Sequence, residues 1–409
     1  MTRNEKINVI STTLLIGFCV GIFYHFIIKG VYLKRPGDFF CCVPFSDLTF
    51  SVWNAGSLMP YTHPHTRTIS AYLPFSYMLM YPLSLINEVL YVKFIAFFIA
   101  MVSLFGNYYF LYKGVIWKRN FLKLENKIEI IRNLFIFSFL SYPFLWTMHV
   151  MNIEFIIFFF EILFLIFYLK GKNYTAATFL AFGAAMKIYP GVLLFFFLKD
   201  KKYKVFLYAL IFAILINIIS IYPLKGTLPE IWHGFQVHNQ LIRNHAGLGE
   251  LSSIYKQTTL LGIFQMIRFG FDLNNLISPK ALFNAYAAFG FVAGLLLFYF
   301  LIKYETELWK IAFLLIAFII TFHHISFYHK AISLFIPLWL FINSKEKSKY
   351  DIIYTISFGL FLIPMPYVLF TIRGYAPYFE SYGSVLIMLT FMLLIVKERF
   401  DIIKANNNQ

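Results

Sequence analysis

Charge is what this sequence has least of. Only 13% of its 409 residues are charged, and Asp and Glu together number 19. Soluble domains carry about twice that charge fraction. Cysteine is nearly absent, with Cys19, Cys41 and Cys42 alone. The adjacent pair has neither metal-ligand nor CxxC spacing, so a disulfide framework is excluded and cysteine says little about compartment. There is no internal repeat, no low-complexity tract beyond the final Asn run, and no stretch that reads as a soluble domain. These absences exclude a soluble enzyme with a membrane tail, a disordered chain and a nucleic-acid-binding domain.

What is present is apolar surface. Hydrophobic residues make up 60% of the chain and aromatics 21%, with 52 Phe and 28 Tyr, far more than one water-soluble core can bury. The composition implies an all-α polytopic membrane protein. The net charge of +16 then reads as Lys and Arg collecting in cytoplasmic loops, not as a nucleic-acid footprint. Membrane lipid is an expected partner and nucleic acid is not.

Apolar segments lie near 8–29, 90–112, 133–147, 150–170, 173–186, 188–199, 204–222, 281–303, 308–324, 328–344, 350–371 and 380–397. The first is too long for a signal-peptide core and reads as a retained span. The set predicts about twelve transmembrane helices in a single domain over 1–409, with both termini cytoplasmic. Several segments are shorter than the roughly 20 residues a straight span needs. Breaks at Pro143 and at Pro190-Gly191 are tolerated at membrane depth only against protein or a wet cavity, and so hint at a site. Inner segments 1–7, 113–132, 170–173, 199–204, 303–307, 345–349 and 397–404 hold 21 of the 35 Lys and Arg residues. That bias fits the positive-inside rule. The outer loops are 30–89 and 223–280. Within the first, 69–86 reads as a juxtamembrane helix anchored by Tyr72, Tyr77 and Tyr81, because making it a span would put the basic stretch 113–132 outside.

Ionisable groups beside apolar segments are costly and so are functional candidates. Two carboxylates follow the first span: Asp38 in RPGDFF and Asp47 in PFSDLTF. Either suits a general base on a hydroxyl; the bland alternative for Asp47 is a cap on a short helix. His63, His65 and Arg67 follow; the arginine suits a bidentate contact with phosphate oxygens, whereas for the two histidines a solvated loop is the simpler reading. WTMHVMNIEF brings His149, Asn152 and Glu154 to the outer level, for sugar contact or an interhelical hydrogen bond. GAAMKIYPGVLL puts Lys187 and Tyr189 at a helix break, where an ammonium suits a phosphate or snorkels to the interface. The 223–257 loop carries His233, His238, Asn239, Arg243, Asn244 and His245, with no convincing metal spacing. The densest cluster is HHISFYHK: His323, His324, Ser326, Tyr328, His329 and Lys330.

Together these stretches resemble the GT-C superfamily of integral membrane glycosyltransferases, and within it glycosyltransferase family 87. GDFF at 37–40 is similar to the acidic motif after the first span. AYLPFSYMLMYPL at 71–83 is similar to a YPPF-type segment, with Leu73 in place of the first proline. MNIEFIIF is similar to a GNIE-type stretch, with Met151 in place of glycine. AAMKIYPGVLL is similar to the K-x-YP segment, and SFYHKAISLFIPL to the histidine-bearing turn before a late span.

The resemblance implies inverting transfer of a hexose, by family mannose, from a polyprenyl-phosphate donor to a lipid or glycan hydroxyl. The reaction would take place on the extracytoplasmic face of the cell membrane. It assigns the base to Asp38, with Asp47 as fallback; read from the residues, the donor phosphate then falls to Lys187, Lys330 or Arg243, with protonated His329 assisting. Sugar or acceptor contacts fall to Tyr189, Asn152, Glu154, His324 and Tyr328. No cofactor is required and no metal ligand is assigned, although a divalent metal bridging Asp38 and phosphate stays open. Two other classes compete: a lipid-linked polysaccharide polymerase or ligase, whose chemistry would sit on the 223–257 loop, and a transporter, which predicts midplane polar residues and two related halves.

Overall fold

The structure is a computed structural model that describes residues 1–24, 26–27, 46–62, 72–86, 89–116, 132–133, 135–242, 259–271, 273, 276–323, 326, 328–363 and 379–407. Every regular element among them is helical. They fall into two compact units: one of 1–41, 111–145 and 246–409, the other of 42–110 and 146–245.

Three of the described helices are long and apolar enough to cross a membrane: Arg3–Ile22, Tyr203–Ile221 and Pro279–Lys303. Helix Tyr203–Ile221 exposes Leu207, Ile211, Ile214 and Ile218, as a lipid-facing helix does. Among the other described helices, Leu308–Phe322, Phe335–Ile342 and Asp351–Leu362 are shorter than a straight span needs, while Val89–Ile116 and Phe379–Asn407 run to 28 and 29 residues; the described residues do not establish the expected set of twelve spans. Pro74–Ser84 has 11 residues; at about 1.5 Å per residue it covers only about half of the hydrocarbon core. Its expected anchor Tyr77 is instead fully buried, its ring edge-on to Tyr61 with centroids 5.6 Å apart. The polar atom of Tyr is accommodated inside the protein there, so this ring does not mark the lipid interface.

In the 42–110/146–245 unit, Glu154–Leu169 and Asn173–Met186 pair as a tight hairpin. Gly171 turns the chain at φ +71°, and the Lys172 N–H donates to the Phe167 carbonyl at 2.9 Å, closing the helix end as a left-handed glycine does. Phe160 and Phe167 stack on Phe179 across the hairpin, with centroids 6.5 and 5.4 Å apart. Tyr203–Ile221 packs on Asn173–Met186 and on Pro74–Ser84. Pro74–Ser84 also packs on Ser46–Gly56.

In the other unit, Arg3–Ile22 opens with a capping box between Thr2 and Glu5 and packs on Asp351–Leu362. A Cβ at Gly17 would lie 2.3 Å from Ile363, and one at Gly359 2.7 Å from Thr13. Small residues let membrane helices approach this closely. At one end of the unit the Met1 ammonium meets Asp351 at 2.8 Å, with Lys6 at 3.6 Å. Lys310 pairs there with Glu307 at 2.5 Å and Glu398 at 2.8 Å.

Candidate active site

Two breaks in the helices build the site, both in the 42–110/146–245 unit. The first separates Tyr142–Val150 from Glu154–Leu169. Met151 takes φ +48° there, a left-handed conformation that favours glycine. The family-like GNIE pattern has its glycine at this position. The reversal presents Asn152, whose Oδ1 accepts from the Glu154 N–H at 3.2 Å and so starts the next helix.

The second break follows Met186. Pro190 has no N–H to continue the helix, and Lys187 turns to extended backbone (φ −141°, ψ 138°) ahead of the 3-10 turn Tyr189–Leu194. Ser76 holds the end of the helix by donating to the Met186 carbonyl at 2.9 Å. The extended Lys187 directs its ammonium to Glu154 at 2.6 Å and to Asn152 Oδ1 at 3.2 Å. Tyr189 donates its hydroxyl to the other Glu154 oxygen. Glu154 is fully buried. Its carboxylate is therefore compensated by a cation and a hydroxyl, as a buried charge must be.

Asn152 carries the connection onward. Its Nδ2 donates to Asp47 Oδ2 at 2.5 Å. Asp47 lies in the first turn of Ser46–Gly56 and is only half-buried. Tyr72 completes the rim: its ring lies 5.0 Å from the Lys187 ammonium. Burial first, then the neighbouring Asp47 charge, push its hydroxyl well above the usual tyrosine range. Tyr72 thus stays protonated and can donate.

The arrangement separates two carboxylates. Glu154 is sealed in an ion pair, while Asp47 is oriented by a neutral amide and reaches the surface. An ammonium has three donors; Lys187 gives two to Glu154 and Asn152, and its side chain is 16% exposed, leaving one for a substrate oxygen. Among the described residues no three His, Cys, Asp or Glu side chains gather at ligand distance.

The structure therefore brings together Asp47, Asn152, Glu154, Lys187 and Tyr189. His329 and Lys330 belong to the other unit, both buried in the 3-10 turn Tyr328–Leu334. Asp38, Arg243 and His324 lie outside the described residues, as do Cys41, Cys42, His63, His65, Arg67, Asn244, His245 and the side chain of Tyr328. His238 is not a solvated loop residue. It sits on helix Leu228–Ile242, buried, with Nε2 3.1 Å from the Tyr61 carbonyl. Tyr72 was not legible as a site residue, since an outer-loop tyrosine reads first as an interfacial anchor.

Apolar spanning helices and a polar cluster built at two helix breaks define an integral membrane protein with a carboxylate-bearing site. The sequence model of glycosyltransferase family 87 matches residues 71–323, more than half of the chain, and the chain belongs to that family. No curated protein and no solved structure gives a significant match. Membership makes the protein a glycosyltransferase and sets the transporter reading aside. The matched stretch contains Asn152, Glu154, Lys187 and Tyr189; Asp38, Asp47 and Lys330 fall outside it.

Proposed function

We propose that the protein is an inverting glycosyltransferase that moves a hexose, mannose by family resemblance, from a polyprenyl-phosphate donor to a lipid or glycan hydroxyl on the extracytoplasmic face. The observation that carries this reading is the pairing of a surface-reaching carboxylate, Asp47, with a buried, charge-compensated Glu154–Lys187–Tyr189 cluster through the amide of Asn152. Asp47 takes the acceptor proton as that hydroxyl oxygen bonds to the anomeric carbon. The bond from that carbon to the phosphate oxygen breaks, and its electron pair leaves on polyprenyl phosphate. The third Lys187 donor and the Tyr72 hydroxyl are placed to stabilise charge that grows on the leaving group. Asn152 fixes the Asp47 rotamer, which keeps the base within reach of the acceptor.

Transfer from polyprenyl-phosphate mannose in liposomes tests the assignment. Asp47→Asn should lower kcat by about 10²–10⁴-fold, the usual contribution of a positioned base. The same substitution at Asp38 provides the comparison. Full activity of Asp47→Asn alongside an inactive Asp38→Asn would move the base to Asp38. No transfer by the unaltered protein from mannose or glucose donors would remove the donor class.

A further inference from the structure

The unit that contains residues 246–409 carries a second polar feature that the reaction above does not use. Helix Leu260–Gly270 starts at Thr259, whose hydroxyl accepts from the Gly262 N–H at 3.0 Å. Its side chains are sorted inside out. Phe264, Ile267 and Phe271 are exposed, while Gln265 and Arg268 are buried with Leu261 and Met266. Gln265 and Arg268 are three residues apart and share one helix face. A helix in water would bury the phenylalanines and expose the arginine; the reverse suits apolar surroundings on one side and a polar ligand on the other.

Arg268 is 4% exposed. Its guanidinium carbon lies 4.6 Å from the centroid of the Phe269 ring. Yet Nε and Nη1 have no hydrogen-bond partner among the described residues. A guanidinium keeps its proton under all ordinary conditions, so it cannot escape burial by becoming neutral as a lysine can. A ring face offsets only part of the lost hydration, and a buried cation otherwise requires an anion. By contrast, the cations of this unit at Lys6 and Lys310 each meet a carboxylate.

We infer that Arg268 is an anion-binding residue whose ligand is the phosphate group of a polyprenyl-linked substrate or product. The existence of an anion site rests on Arg268 itself; the lipid-linked class rests on the proposed function. Two donors on a planar cation, within a helix that turns its apolar face outward, fit a phosphate whose hydrocarbon chain stays in lipid. Free phosphate offers the same oxygens without the chain, so the two sources are separable.

The test uses the full-length protein in nanodiscs. Thermal protection is measured with undecaprenyl phosphate, undecaprenol and inorganic phosphate, since a ligand that binds only the folded state raises its apparent stability. Undecaprenyl phosphate should protect and the alcohol should not. Arg268→Gln should weaken the protective Kd at least about tenfold, and Arg268→Lys, which keeps the charge, should weaken it less. Unchanged protection in Arg268→Gln overturns the site. Protection by inorganic phosphate at the same Kd, lost in Arg268→Gln, upholds the anion site and overturns its lipid-linked class. Should Arg268→Gln not fold, phenylglyoxal modification of Arg268 in the unaltered protein gives the same decision: slowing by undecaprenyl phosphate supports the site and an unaltered rate removes it. The two readings fail separately. Transfer that persists while protection by undecaprenyl phosphate is the same in Arg268→Gln as in the unaltered protein ends this inference alone. Arg268-dependent protection by a protein inactive with every polyprenyl-phosphate sugar ends the proposed donor class alone.

Discussion

At the scale of single residues, the Glu154–Lys187 pair and the Asp47–Asn152 contact make different demands. Removing one member of a buried pair strands the other's charge at a cost of about 3–5 kcal/mol. Lys187→Ala should therefore destabilise the protein toward the lower end of that range, because the lysine is partly exposed and Tyr189 still donates to Glu154. Combining Lys187→Met with Glu154→Gln should recover much of the loss in apparent Tm, since neither charge is then stranded. Transfer activity should stay low in the stable double variant if Lys187 also serves the donor phosphate; full recovery of activity would reduce Lys187 to a structural role. His238 supplies a pH signature. Burial lowers its pKa below the ordinary value, outweighing the Tyr61 carbonyl that favours the protonated ring. The unfolded chain therefore takes up the proton first as pH falls below about 6.5. The stability contribution is complete above that value and is lost as pH drops through the folded pKa. The unaltered protein should lose apparent Tm between pH 7 and pH 5 more steeply than His238→Gln; identical slopes would show that His238 is not proton-linked to folding.

At the scale of elements, helix Leu228–Ile242 shows how a glycine sets an approach. A Cβ at Gly234 would lie 2.5 Å from the Tyr61 carbonyl oxygen, on the helix that brings Phe235 against the Tyr61 ring, with centroids 5.7 Å apart. Backbone cannot yield as a side-chain tip does. Gly234→Ala should displace the helix at a cost of about 1–3 kcal/mol, seen as faster amide exchange over 228–242; unchanged exchange would mean that the turn at Tyr61 shifts freely. The turn at Met151 makes the complementary point. Met151→Val puts a β-branched residue at φ +48° and should lower stability by about 1 kcal/mol or more. These elements also mark what sequence could reveal. Helix positions were legible because apolar runs are contiguous, and the breaks at Pro143 and Pro190 followed from proline's missing donor. Asn152, Glu154, Lys187 and Tyr189 stood out because polar groups are costly beside apolar runs. Their partnership did not, since Asn152 and Asp47 are 105 positions apart and nothing local couples them. Arg268 escaped notice because one cation in a long outer loop reads as solvated. Only burial distinguishes it.

At the scale of the whole molecule, the distribution of charge makes a topological claim. Segments 1–7, 303–307, 345–349 and 397–404 were assigned to the inner side by their lysines and arginines. In the structure they meet at one end of a single unit: Met1 and Lys6 at Asp351, Lys310 with Glu307 and Glu398, and Lys349 with Asp401 at 3.2 Å. Four segments far apart in sequence share one end, so they must share one side of the membrane, and placing any one places all four. Their shared basic character predicts the cytoplasmic side, and the topology proposed for the chain then puts the loops 30–89 and 223–280 on the extracytoplasmic side. Cysteine labelling decides the matter. In a background with Cys19, Cys41 and Cys42 replaced by serine, Lys347→Cys should react with a membrane-impermeant maleimide only after the cells are opened. Lys225→Cys, in the 223–280 loop, should react in intact cells. The reverse pattern would invert the protein in the bilayer and place Asp47 and Lys187 where a lipid-linked donor of the outer leaflet does not reach. Labelling of both from one side would break the alternation on which the span assignment depends.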